Sequence, residues 1–117
     1  MTVCAGSLIR SRFSWTCPGT LVNGYKLQPE DCSERGGLRS EEDSTATIIW
    51  FVNNTHEVLS LYWADYNGQE QSYGQIKPGD NLRQETYLTH PWVVTRGDGT
   101  CVGVYRPLRR PGVAVIR

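Results

Sequence analysis

Ile48-Ile49-Trp50-Phe51-Val52 is an unbroken apolar run that opens on two β-branched residues. It is too short for a typical helix, and a strand sends successive side chains to opposite faces. A continuous run of this kind therefore fits a strand covered on both sides. Downstream, Leu59, Leu61 and Trp63 share one strand face while Val58, Tyr62 and Tyr66 share the other. This stretch stops at Asn67-Gly68, where both residues tolerate positive φ and suit a tight turn. A short polar strand through Tyr73 follows, and then Lys77-Pro78-Gly79-Asp80, whose Pro and Gly suit the inner positions of a type II turn. Further strands are expected over Asn81 to Tyr87, Trp92 to Val94, Cys101 to Tyr105 and Val113 to Ile116. Arg96-Gly97-Asp98-Gly99 and the stretch Pro107 to Gly112 interrupt them. No window carries a helical apolar period, and turn signals recur roughly every ten residues, the spacing of a sandwich or barrel. The fold class is all-β.

Upstream of this region the composition changes near Gly36-Gly37. Met1 to Arg35 is rich in Ser, Pro, Gly and Cys, with apolar residues scattered as Leu8-Ile9, Leu21-Val22 and Tyr25. Residues 1–37 read as an irregular arm with at most a short strand, and residues 38–117 as the folded domain. Cys4, Cys17, Cys32 and Cys101 are an even set in a short chain, which suits disulfides, but sequence cannot rank their three possible pairings. None forms a C-x-x-C pair, and His56 and His90 lack finger spacing, so no metal is expected. Paired cysteines imply an extracellular location, and reduced ones a cytoplasmic location. Met1 to Thr16 lacks the order of a secretory signal, and no apolar run is long enough to cross a membrane. Twelve basic and twelve acidic residues leave no net charge, hence no basic field for nucleic acid or an anionic membrane.

Catalytic constellations are missing. There is no G-x-S-x-G elbow, and neither histidine carries the signature of a nucleophile's base. Cys4-Ala5-Gly6-Ser7-Leu8-Ile9 resembles a strand of trypsin-like proteases, but the accompanying histidine is absent. Glu41, Glu42 and Asp43 read as a solvated polar run. No catalytic residue and no cofactor is expected, and the chain is read as a binding module rather than an enzyme. Arg96-Gly97-Asp98 admits an adhesive reading, although hairpin turns also favour Gly and Asp. Asn53-Asn54-Thr55 matches the N-glycosylation pattern, while Asn53 also suits the cap of a strand end. Four tryptophans and six tyrosines are a surplus for so small a core, and many carry polar handles suited to a wet binding face.

The order Leu38-Arg39-Ser40, Ile49-Trp50-Phe51-Val52-Asn53, Trp63, Asn67-Gly68, Tyr73, Pro78-Gly79, Tyr87, His90, Trp92 resembles the β domain of the von Hippel-Lindau family. The likeness runs without a gap from Leu38 to about Val94, with a looser match through Cys101 to Ile116. The resemblance implies a seven-stranded antiparallel β-sandwich that recognises hydroxyproline in an extended peptide, in that family one from the hypoxia-inducible factor. Trp63, Tyr73 and Trp92 would form an aromatic box, Thr86 stands where the family has a serine, and His90 matches its histidine. Tyr87 matches a tyrosine that touches the peptide backbone. Glu85 replaces a family histidine, and a carboxylate there favours a basic flanking sequence. The family protein continues into a helical domain that docks on elongin C. The chain ends at Arg117, so elongin binding is not expected of it. Carbohydrate binding by the same aromatics, and a disulfide-stapled inhibitor or adhesion module acting through the arm or Arg96-Gly97-Asp98, remain the alternatives.

Overall fold

The computed structural model describes residues 2–4, 9–10, 15–16 and 21–117. In chain order the strands are β1 (Thr2–Cys4), β2 (Ile9–Arg10), β3 (Trp15–Thr16), β4 (Leu21–Asn23), β5 (Tyr25–Lys26), β6 (Ala46–Asn53), β7 (Leu59–Ala64), β8 (Glu70–Ile76), β9 (Asn81–Tyr87), β10 (Trp92–Arg96), β11 (Cys101–Tyr105) and β12 (Gly112–Ile116). A 3₁₀ helix spans Cys32–Gly37. Strands β1 and β4 pair with each other, as do β2 and β3. The remaining eight form two four-stranded sheets, ordered β11-β10-β7-β8 and β5-β12-β6-β9, packed as a sandwich.

The all-β sandwich is borne out, with two differences from the seven antiparallel strands expected. Tyr25–Lys26 contributes an eighth strand, and β12 runs parallel to both β5 and β6. The parallel direction of β12 follows from its connection. After β11 the chain crosses to the other sheet through residues 107–111, so no tight hairpin forces β12 to run against its neighbours.

Alternation along β6 explains the apolar run. Ile49 and Phe51 point into the sandwich with Leu59, Leu61, Ile76, Val94, Ala114 and Ile116. Val52 turns outward to a second cluster with Val22 and Val113, against which Trp50 and Val115 pack. Val22, at the arm end of the chain, thus covers the outer face of β6.

The turns follow the expected chemistry with one change. Asp80 N–H donates to the Lys77 carbonyl at 3.0 Å, and Gly79 carries φ +83°, as a type II turn requires. At Asn67-Gly68 only Gly68 takes positive φ (+79°). The Asp65 carboxylate organises that turn instead, accepting from the N–H groups of Asn67 and Gln69 at 2.9 Å each. The backbone closes the turn as well, Gly68 N–H donating to the Asp65 carbonyl at 3.0 Å, and a turn that ends on a left-handed glycine needs only that one positive φ.

Asn53 is fully buried at the end of β6. Its amide donates to the carbonyls of Glu57 and Ile76, both at 2.8 Å, and its oxygen accepts from Thr55 N–H (2.9 Å) and Oγ1 (2.6 Å). The glycosylation reading does not fit a side chain enclosed in this way, whereas the capping reading does. Asn53→Ala strands the Ile76 carbonyl in the interior and is expected to lower unfolding stability by about 2–3 kcal/mol. Urea denaturation at neutral pH measures this, and a change within error would show that water replaces the amide.

Arg96-Gly97-Asp98-Gly99 forms the β10–β11 turn, with Arg96 ion-paired to Glu57 at 3.2 Å and Asp98 accepting from Thr100 N–H at 2.9 Å. The 3₁₀ helix is fastened against β11 by a Cys32–Cys101 disulfide with Cα atoms 5.9 Å apart. Beside it, Arg35 makes a two-pronged contact with the Glu70 carboxylate at 2.8 and 2.9 Å. The side chains of Cys4 and Cys17 lie outside the described residues.

Candidate peptide-recognition site

Where β9 edges one sheet and β8 edges the other, the sandwich opens into a cavity of about 220 Å³. Sheet pairing brings its aromatics together, since Trp63 of β7 stands opposite Trp92 of β10 in adjacent strands. Tyr73 arrives from β8 at an irregularity in the β7–β8 register, where Gly74 takes φ +105°. A bulge with glycine in this conformation re-aims the neighbouring side chain, which is why Tyr73 reaches the cavity. Thr86, Tyr87 and Glu85 come from β9, and His90 from the turn joining β9 to β10. All seven site residues expected from the sequence line this one cavity.

Their roles in it are not equal. Trp92 is only 2% exposed and forms the floor rather than a wall. Its indole N–H donates to Thr86 Oγ1 at 2.9 Å, and Tyr73 meets its ring edge-on with centroids 5.0 Å apart. Because Thr86 Oγ1 accepts that bond, its own proton is directed elsewhere. Trp63 stacks on His90 with centroids 5.4 Å apart and an interplanar angle of 28°. The Trp63 indole is itself anchored, donating to Ser40 Oγ at 2.8 Å, and the Ser40 hydroxyl in turn donates to the Ala64 carbonyl at 2.5 Å. Ser40 is thus a positioning residue beneath the wall. Tyr73 and Tyr87 stand at the mouth, each close to half exposed.

Tyr66 also lines the cavity, which the sequence reading placed only on a strand face. Its hydroxyl lies 3.2 Å from His90 Nε2, and its ring meets Trp63 edge-on at 5.6 Å. Nothing in a strand pattern marks it, because Tyr66 lies beyond β7 in the turn organised by Asp65.

Burial holds the His90 imidazole below its ordinary value of 6.5, while a hydrogen bond to the Glu41 backbone and the nearby Asp43 carboxylate pull the other way. The imidazole is therefore neutral at neutral pH, and one ring nitrogen can accept a proton donor. An unfolded imidazole takes up a proton near 6.5 and the folded one only at lower pH, so the unfolded state binds more protons across that interval. Stability contributed by His90 is full above 6.5 and is lost as the pH falls toward the folded value. Urea midpoints are expected to drop from neutral pH to about pH 5, and His90→Gln to flatten that slope. Equal slopes would place the effect on other groups.

A family model described as the VHL beta domain matches residues 38–101, more than half of the chain. The chain belongs to the VHL β domain family. Protein Vhl of Drosophila melanogaster is 30% identical over 54 residues, covering 46% of this chain and 30% of the fly protein. The chain therefore matches well under two thirds of that relative's length. VHL β domains bind protein partners, and the cavity described here lies within the part of the chain that matches the VHL model.

Proposed function

We propose that this VHL β domain binds an extended peptide and takes a 4-hydroxyproline ring into the cavity, with no catalytic step of its own. One observation carries the reading. Flat aromatic faces, the Thr86 hydroxyl and the His90 imidazole line a single small hollow beside an edge strand. A pyrrolidine ring packs against Trp63 and Tyr73 at little entropic cost, because both partners are rigid. Its 4-hydroxyl then accepts from the Thr86 O–H and donates to His90 Nε2, in the place the Tyr66 hydroxyl holds in the free protein. Among the described residues β9 pairs only with β6, and its other edge offers backbone groups to the flanking residues of an extended chain.

Unmodified proline fills the same volume but leaves Thr86 and His90 without a new partner, and a buried polar group left unpaired costs about 1–3 kcal/mol. Calorimetric titration with one proline peptide in two versions, with and without the 4-hydroxyl, tests the reading. Binding of the hydroxylated version at least about tenfold more tightly is expected. Equal affinities would remove the hydroxyl-recognition chemistry, and no heat with either peptide would remove the site.

A further inference from the structure

The cavity does not stand alone. It shares Glu85, Thr86 and Tyr87 with a hollow of about 530 Å³ over the paired ends of β6 and β9. On another flank it shares Tyr66 with a hollow of about 440 Å³ formed by Glu42, Asp43 and Ser44. An extended peptide seated in the cavity must lay its neighbouring residues along these flanks. Carboxylates mark both flanks, and among the described residues no Lys or Arg lines any of the three hollows.

Two cations stand close by without lining the path. Arg83 pairs with Glu85 at 3.2 Å, but both side chains are well exposed, and such a pair is readily exchanged for another. Arg109 acts on Asp43 from the residue 107–111 connection. Asp43 accepts from Thr45 N–H at 2.6 Å, which holds its loop in place beside Tyr66.

We infer that the partner is a cationic peptide, with Lys or Arg on both sides of the residue held in the cavity. This rests on the peptide-binding reading and adds the charge of the partner to it. An acidic peptide meets like charge at Glu42, Asp43 and Glu85, which opposes encounter and docking alike. A basic peptide replaces the Arg83 contact at Glu85 and gains the carboxylates around Tyr66.

Four synthetic peptides test the inference by fluorescence anisotropy. Each has the same central alanine-proline-alanine, with lysine flanks or glutamate flanks, with and without the 4-hydroxyl. The lysine-flanked hydroxylated peptide is expected to bind about tenfold or more tightly than its glutamate-flanked counterpart at low salt, and the ratio to shrink as salt screens the flanks. The double variant Glu42→Lys, Glu85→Lys is expected to reverse the preference. Equal affinity for both flanks, or tighter binding of the glutamate peptide by the native chain, overturns the inference while leaving the hydroxyproline reading intact. A lysine preference that ignores the hydroxyl supports the inference and removes the hydroxyproline reading. Binding of none of the four removes both.

Discussion

Trp92→Ala is expected to abolish peptide binding and to lower unfolding stability by about 3–5 kcal/mol, the range for emptying a large aromatic site in a core. Trp92 serves two structures at once. Its ring packs inward with Phe51, centroids 6.3 Å apart, and its outer side forms the cavity floor under Tyr73. Its indole N–H also sets the direction of the Thr86 hydroxyl. Trp92→Phe separates these roles, because it keeps an aromatic in the core and removes the N–H. The phenylalanine variant is expected to lose about 1–2 kcal/mol of stability, while affinity for the hydroxylated peptide still falls, as Thr86 is no longer oriented. Urea unfolding and calorimetry on both variants provide the measurements. A folded Trp92→Ala protein that binds the hydroxylated peptide with native affinity would show that the cavity is not the site.

Opening the Cys32–Cys101 disulfide is expected to cost about 4 kcal/mol, because the link closes a long loop with a sequence separation of 69. Without it the 3₁₀ helix keeps the Arg35 bonds to Glu70 of β8 and to the Gly99 carbonyl of the β10–β11 turn, and the segment before it keeps the Glu30–Val104 backbone pair with β11. The Arg35–Glu70 pair is partly exposed and contributes much less than the covalent link. The paired variant Cys32→Ser, Cys101→Ser should show the drop in urea midpoint. Affinity for the hydroxylated peptide at a temperature where the variant is folded should stay within a few-fold of native, since neither cysteine lines the cavity. An unchanged midpoint would mean that the thiols are not joined in solution, which titration of free thiols in denaturant would confirm. A formed disulfide would favour an oxidising compartment.

Much of the architecture is legible in local chemistry. The limits of β9 and β11 follow from alternation and from flanking turn residues, and Gly79 takes the positive φ that its place after Pro78 requires. The aromatic, hydroxyl and imidazole side chains of the cavity are legible too, as rare residue types in a fixed order along the chain. Tyr66, Ser40 and the acidic loop are not. Glu42 and Asp43 look the same in sequence whether they face open water or border a cavity, because charge alone carries no direction. Ser40 matters through one hydrogen bond to a tryptophan distant in sequence, and Tyr66 through a turn that Asp65 closes.

The sequence by itself determined that this protein is an all-β domain, while its likeness to the VHL family pointed to the side chains that line the cavity. Periodicity, turn propensity and residue chemistry are local properties, and each is expressed within a few neighbouring residues. Only the tertiary structure decided that β5 joins the sheet, that β12 runs parallel, that Cys32 meets Cys101, and that two edge strands from different sheets leave a hollow between them. These features depend on which distant segments pack together, and that choice is made by the burial of Ile49, Phe51, Leu61 and Val94 in one shared core.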